Sequence, residues 1–271
     1  MSLLTVAQDV ARVVGVMEPP SIFSGYAAQR TQRELLACAN EMAQAIAYDL
    51  REWTQMKRQA TLTGTMTLVD IAVPPDPPNY QWQGGTTAFN LPADYLRMLV
   101  NGNVWRSTST QQPMTFIGDT DEWYRRRAAN EYDAWGEWTL LGDQILIYPP
   151  MHAAITDPPP PGYSVTPAET ATFPYLDRNC VLSGASPGVL QDAFTNDADT
   201  FRLPERALKL GMIYKWKSQK GSPYAEDLGN FQDCLNMLMG ANKPAPIMIG
   251  TTPISMYART ASSWPPGWGP A

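Results

Sequence analysis

Residues 203–240 read LPERALKLGMIYKWKSQKGSPYAEDLGNFQDCLNMLMG, and their spacing decides how the rest of the chain is read. Pro204 suits the first turn of a helix, where its missing N–H has no intrahelical partner to lose. Leu208, Met212, Lys215 and Trp216 follow at helical spacing, and Gly221 is a natural stop. Ser222-Pro223 restarts a helix, the serine as cap and the proline at the first position. The second stripe is Tyr224, Leu228, Phe231, Leu235 and Leu238, in steps of four, three, four and three. That is one apolar face on a 3.6-residue period. With almost no loop between them, the two helices are expected to pack as an antiparallel hairpin.

The opposite end of the chain carries a matching pair. Residues 3–17 place Val6, Val10, Val13 and Met17 on one face, and Glu18-Pro19-Pro20 is expected to end that helix. Residues 25–57 hold a longer stripe of Leu35, Ala39, Met42, Ile46, Leu50 and Trp53, with Gln29, Arg30, Arg33, Glu34, Gln44 and Arg51 on the other side.

Between the two pairs the pattern changes. Residues 61–69 are threonine-rich and alternate in part, as strands do. Further strands are expected at 86–91 and 96–105, a short helix bearing Trp123 at 121–129, and a hairpin of 138–141 with 144–148 around Gly142-Asp143. Segments 163–173 and 178–182 add strands. Residues 183–200, rich in Gly, Ser, Asp and Asn, read as turn or loop, and the proline runs at 74–78 and 158–161 read as stiff loops. The expected fold class is therefore α+β. N- and C-terminal helical hairpins (1–58 and 203–243) form a four-helix bundle, an antiparallel β-rich region (59–202) is inserted into it, and an extended arm (244–271) follows.

Composition bounds the function. The chain has 271 residues, 44% hydrophobic and 17% charged, enough for one good core or two small ones and too apolar for disorder over most of its length. A net charge of −6 without a basic stripe argues against a generic nucleic-acid binder. Arg125, Arg126 and Arg127 read first as the polar face of a short helix, and alternatively as a basic ring facing DNA or an acidic partner. Cys38, Cys180 and Cys234 fit no metal spacing and read as buried, reduced thiols. The opening residues do not read as a signal peptide, and no run of 18 apolar residues is present to span a membrane.

Chemistry is sparse. His152 is the only histidine, so a two-histidine metal site cannot form within one chain, and its place in a loop just after Pro149-Pro150 offers few partners for a catalytic role. No phosphate-binding glycine loop or nucleophile elbow appears. Asp192, Asp197 and Asp199 read as capping and turn residues, with a divalent cation as the alternative. No catalytic, cofactor-binding or metal residue is assigned and no cofactor is expected, although paired carboxylates of a muramidase type are not excluded by sequence.

Residues 244–271 are the informative segment. They hold six prolines and one charge, Arg259, with Ile247, Ile249, Ile254, Met256, Tyr257, Trp264 and Trp268 scattered among them. Burying seven apolar side chains returns less than ordering 28 residues costs, so the segment needs a partner to give it shape. It reads as a docking arm rather than a loose terminus, which is usually charged or Ser/Gly-rich.

Several loose motifs in a fixed order carry a resemblance. A first helix is followed by Pro20-Ser21 and a helix ending in Trp53. Then come Phe89-Asn-Leu91-Pro92-Ala-Asp94-Tyr95 with Arg97, Asp121-Glu122-Trp123, a strand leading into Tyr148-Pro149-Pro150, and Leu203-Pro204-Glu205 through Leu208, Trp216, Lys220-Gly221 and Tyr224. Over residues 3–240 this order resembles the head-to-tail adaptor (head-completion, or neck) proteins of tailed bacteriophages. The resemblance implies a virion structural protein and not an enzyme. It implies a homo-oligomeric ring, commonly a dodecamer, in the neck between capsid and tail, made in the host cytoplasm. It further implies portal binding by the C-terminal segment, tail or neck proteins docked on the other side, and genomic DNA passing through the lumen without specific binding. A stopper or tail terminator is the neighbouring alternative, and a phage cell-wall hydrolase is the enzymatic one.

Overall fold

The structure, a computed structural model, describes residues 2–23, 30–49, 52–72, 78–108, 112–156 and 159–242. The first helix, α1 (Leu3–Val14), buries Leu3, Val6, Ala7, Val10 and Ala11. It stops three residues earlier than its apolar spacing suggests. Gly15 takes the left-handed conformation (φ 74°) and returns its N–H to the Ala11 carbonyl, a glycine C-cap that closes the last turn. Met17, expected on the buried stripe, lies beyond this cap and is exposed, and Val13 is exposed although it lies within the helix, because the buried face runs through Leu3, Val6, Ala7, Val10 and Ala11.

Helix α2 (Arg30–Ala47) also ends sooner than expected. Trp53 is not its last turn. A 3-10 turn at Thr54–Met56 follows the helix, and Trp53 folds back so that its fully buried indole N–H donates to the Ile46 carbonyl at 2.7 Å. The indole thereby satisfies one of the carbonyls that a helix C-terminus leaves open. Leu50, the other stripe residue beyond Ala47, lies outside the described residues.

The strands come next in the chain. They are β1 (Lys57–Thr63), β2 (Thr67–Asp70), β3 (Tyr80–Gln83), β4 (Ala88–Asn90), β5 (Tyr95–Met98), β6 (Trp105–Arg106) and β7 (Thr115–Phe116). Helix α3 (Thr120–Ala129), capped by Asp119, leads to the hairpin of β8 (Glu137–Leu141) and β9 (Gln144–Tyr148). That hairpin turns at Gly142-Asp143, as its spacing predicts. Strand β10 (Thr170–Asp177) follows, then β11 (Val181–Leu182), β12 (Leu190–Gln191) and β13 (Thr200–Phe201). Residues 183–200, expected as loop, thus contribute to a small sheet ordered β12-β11-β13. One larger sheet runs β1-β10-β5, with β6 also on β10; another runs β4-β9-β8-β7; β2 pairs with β3.

Helices α4 (Glu205–Gln219) and α5 (Ala225–Asn242) form the expected hairpin, with Phe231, Cys234 and Leu235 buried between them and the core. The second helix opens at Ala225, two residues later than the Ser-Pro pair suggests, with the Tyr224 carbonyl accepting the first bond. Gly211 marks the closest approach. A Cβ there would stand 2.8 Å from the Met42 methyl of α2 and 3.1 Å from the Phe231 ring of α5.

The four-helix bundle with an inserted β region is not what forms. Helix α4 is a hub that packs against α1, α2 and α5. The surface around it is completed by the strand-rich middle, because Trp53, Met56, Leu176, Cys180, Val181, Phe194, Phe201 and Leu203 belong to the same buried cluster as the helices. The physical reason is that helices gathered on one hub leave apolar faces that only further elements can cover. A second cluster lies between the two larger sheets and includes Trp138, Ile145, Ile147, Met151, Ala171 and Phe173. Strand β10 joins the two: Ala171, Phe173 and Tyr175 enter the sheet core, and Leu176 enters the helical one beside an irregularity at Leu176/Asp177.

Candidate functional site

The charged clusters singled out in the sequence are committed to internal work. Asp199 is fully buried and accepts from the backbone N–H groups of Gly184, Thr195 and Asn196. Asp197 accepts from the Ser21 hydroxyl and, at 2.7 Å, from the Ile22 N–H, tying the segment after α1 to the loop before β13. Asp192 pairs with Arg178 at 3.2 Å. These are capping and cross-linking roles, and among the described residues no group of three His, Cys, Asp or Glu side chains is placed to hold a metal ion.

The arginine run is likewise spent within the subunit. Arg125 and Arg126 both bond Glu122, and Arg126 and Arg127 close on the fully buried Glu137 carboxylate. Arg127 is further held between two rings, 4.5 Å from the Trp123 centroid and 3.8 Å from that of Tyr148. The hydrogen bonds from Arg125 and then Arg126 hold the Glu122 carboxyl down at about 2. Paired in this way, the run is the polar face of α3, docked on β8, and not a free basic stripe.

A cleft of about 570 Å³ is lined by residues that no single stretch of sequence brings together. Its floor is an ion pair. Arg106, at the end of β6, bonds Glu169, which stands immediately before β10, through both carboxylate oxygens. The same guanidinium donates to the carbonyls of Pro149 and Pro150 at 3.1 Å each. Glu169 also accepts from the Thr108 hydroxyl and from the His152 N–H at 3.2 Å. Burial works against the charge of Glu169, but the hydrogen bonds from Arg106 and Thr108 outweigh it and keep the carboxyl below its ordinary range.

The walls of the cleft are aromatic and apolar: Tyr132 and Trp135 from the loop between α3 and β8, Met66, Pro149 and Pro150, and His152. His152 stacks flat on Trp82 of β3, with centroids 4.1 Å apart. Tyr132 meets Tyr148 edge-on at 5.3 Å. No family model and no curated protein matches the chain.

Parts of this cleft are visible in the sequence. His152 and the Tyr148-Pro149-Pro150 exit were singled out, and both border the cleft or its wall. Arg106, Glu169, Tyr132 and Trp135 were missed. A buried ion pair across 63 positions has no local periodicity, and lone aromatics in loops look like any others. Cleavage through two carboxylates needs a second carboxylate across the cleft. The lining supplies Glu169 alone, and that one is filled by hydrogen bonds.

The other motif residues act as staples. The Asp94 carboxylate accepts from the Tyr175 hydroxyl at 2.9 Å and its carbonyl from the Arg178 N–H at 2.8 Å, fixing the entry to β5 against β10. Trp123 is buried under α3. The arm residues Ile247, Ile249, Ile254, Met256, Tyr257, Trp264 and Trp268 lie outside the described residues.

Proposed function

We propose that this protein is a structural subunit of a tailed-phage neck, an adaptor that closes into a ring, commonly a dodecamer, beneath the capsid portal and carries tail or neck proteins on its other side. The observation that carries the reading is the use made of the motif residues. Trp53 and Asp94 each tie one segment to another, Trp123 and Trp216 are buried, and the charged run at 125–127 is neutralised inside the subunit. Such a chain is a shaped building block whose remaining resource is surface. Val13 and Met17 at the end of α1, Phe116 on the edge strand β7, and Met237 on α5 offer separate apolar positions for the repeated contact of a ring. The arm, residues 244–271, docks on the portal many times over in such a ring, so weak single contacts sum to a lasting joint. An acidic subunit lining the exit channel lets DNA slide rather than bind.

The test is electron microscopy of the purified full chain mixed with its portal ring. The expected result is added ring density on the portal, abolished when Trp264→Ala and Trp268→Ala are introduced together. Bare portal rings at every concentration, with the unaltered chain folded, overturn the proposal.

A further inference from the structure

We infer that the free edge of β1 pairs with the same edge of a second copy of this chain, antiparallel and about a two-fold axis at Ala60, so that two sheets join into one. The inference does not rest on the adaptor reading. A two-fold contact closes on itself and builds no ring, so it describes the free chain.

Strand β1 ends its sheet, with β10 on one side only. Its seven residues, KRQATLT, make it the longest edge strand among the described residues. Edges are usually kept short, broken by a bulge or a proline, or covered by another element. None of these protections applies to β1. It holds no proline, and its register with β10 runs unbroken from Lys57 opposite Leu176 to Thr63 opposite Thr170. Lys57, Arg58, Gln59, Thr61 and Thr63 are all exposed.

The ladder shows which backbone groups are free. The Gly64 N–H donates to the carbonyl of Glu169, directly opposite, at 2.8 Å. On the other side of β10 the Ser107 N–H donates to the Thr170 carbonyl at 2.8 Å. Bonded and outward-facing residues alternate along an antiparallel strand. Arg58, Ala60 and Leu62 therefore bond β10, while Gln59, Thr61 and Thr63 turn their N–H and C=O groups away from the sheet. Lys57 gives its N–H to the Thr54 carbonyl and keeps its own carbonyl free.

These groups complement themselves. With Ala60 on the axis, Gln59 exchanges both hydrogen bonds with Thr61 of the second copy, Thr61 does the same with Gln59, and the Thr63 N–H donates to the Lys57 carbonyl. Ala60 meets its counterpart in a non-hydrogen-bonded pair, where Cα atoms approach to about 4.5 Å and a small side chain fits. Charge selects the orientation. Both cations of the strand, Lys57 and Arg58, sit at its first end. Antiparallel pairing sets Thr63 and Leu62 opposite them, whereas parallel pairing in register would set like charges side by side. Within the subunit they already face Glu52 at 3.3 Å and Asp177 at 2.8 Å.

The test is sedimentation velocity of the full chain from about 1 to 200 µM. An edge pairing is a small interface, so a monomer–dimer equilibrium with a dissociation constant of about 10 µM is expected. Two double variants read the register, and both alter only exposed side chains. The first, Gln59→Lys with Thr61→Lys, sets like charges directly opposite at two places and is expected to weaken the dimer about thirtyfold. The second, Gln59→Lys with Thr61→Glu, makes both places attractive and is expected to hold the dimer within about threefold of the unaltered chain. Far-UV circular dichroism melts are expected to coincide for all three. A monomer at every concentration, a dimer indifferent to the first variant, or a second variant as weak as the first overturns the inference. Portal binding is read separately: a chain that dimerises through β1 but ignores portal sinks the adaptor reading alone, and a chain monomeric throughout that still adds a ring to portal sinks the dimer alone.

Discussion

Asp177 is the residue whose removal tests the joint between the helical and sheet parts. Its fully buried carboxylate accepts from Arg202 Nη1 at 2.7 Å, Arg58 Nε at 2.8 Å and the Asn179 N–H at 2.8 Å. It thereby ties β1, the end of β10 and the segment leading into α4. Asp177→Ala leaves the Arg202 guanidinium, only 12% exposed, without its counterion, and the Asn179 amide without an acceptor. Breaking a buried pair costs about 3–5 kcal/mol. Arg202 keeps the Asn179 and Gln55 carbonyls, and Arg58, 40% exposed, keeps water and Asp94, which places the cost near the lower end, about 3 kcal/mol. For a chain of this size that lowers the melting temperature by about 6–12 °C. The comparison variant is Asp192→Ala, whose pair with Arg178 is about half exposed on both sides and is worth at most about 0.5 kcal/mol. Urea denaturation followed by far-UV circular dichroism and by tryptophan fluorescence measures both variants. The two signals are expected to coincide, because β10 runs through both cores. A midpoint for Asp177→Ala equal to that of Asp192→Ala, or a helical transition separate from the sheet transition, refutes the reasoning.

Three further outcomes follow from the same structure. Trp53→Phe keeps a ring in place but leaves the Ile46 carbonyl without its 2.7 Å donor, and a loss of about 1–3 kcal/mol in chemical denaturation is expected. Burial raises the thiols of Cys38 to about 11 and Cys180 to about 12, and that of Cys234 upward as well, so all three are expected to resist a thiol reagent at pH 8 in the native protein and to react together in urea. Glu122 is held at about 2, mainly by Arg125 and then Arg126, against an ordinary 4.5. A depressed carboxyl contributes stability above its unfolded value and loses it as pH falls from about 4.5 towards 2. The acid limb of the melting curve is therefore expected to be shallower in Glu122→Gln than in the unaltered chain.

The periodic elements were legible, and what ended or joined them was not. The stripe of Phe231 and Leu235 is enough to place α5, because a helix repeats its burial every turn. Apolar spacing overstates the extent of α1 and α2 for a shared reason: a residue at the right spacing prolongs the stripe although the chain has already turned. Gly15 supplied a visible signal for the first, since glycine after an apolar run is a helix stop. Trp53 gave none for the second, because a side chain that folds back to cap its own helix looks like the next turn. Strand β10 was only partly seen, since Pro174 demotes a strand in sequence. In the structure Pro174 falls between the pairings of β10 with β6 and with β5, where only β1 lies opposite it. The bundle itself was inferred from helices alone, and residues such as Leu176 and Phe201, which complete that core from short strands, have no pattern to announce them. The cleft was hidden for the same reason, since its parts meet only through sheet topology.

The most direct measurement of the adaptor account is the mass of the complex that the full chain forms with its purified portal ring, by native mass spectrometry. The account predicts one discrete species, a portal ring carrying a closed ring of this subunit, that disappears when both arm tryptophans are replaced. Free portal and free subunit side by side at every mixing ratio, with no intermediate mass, contradict it.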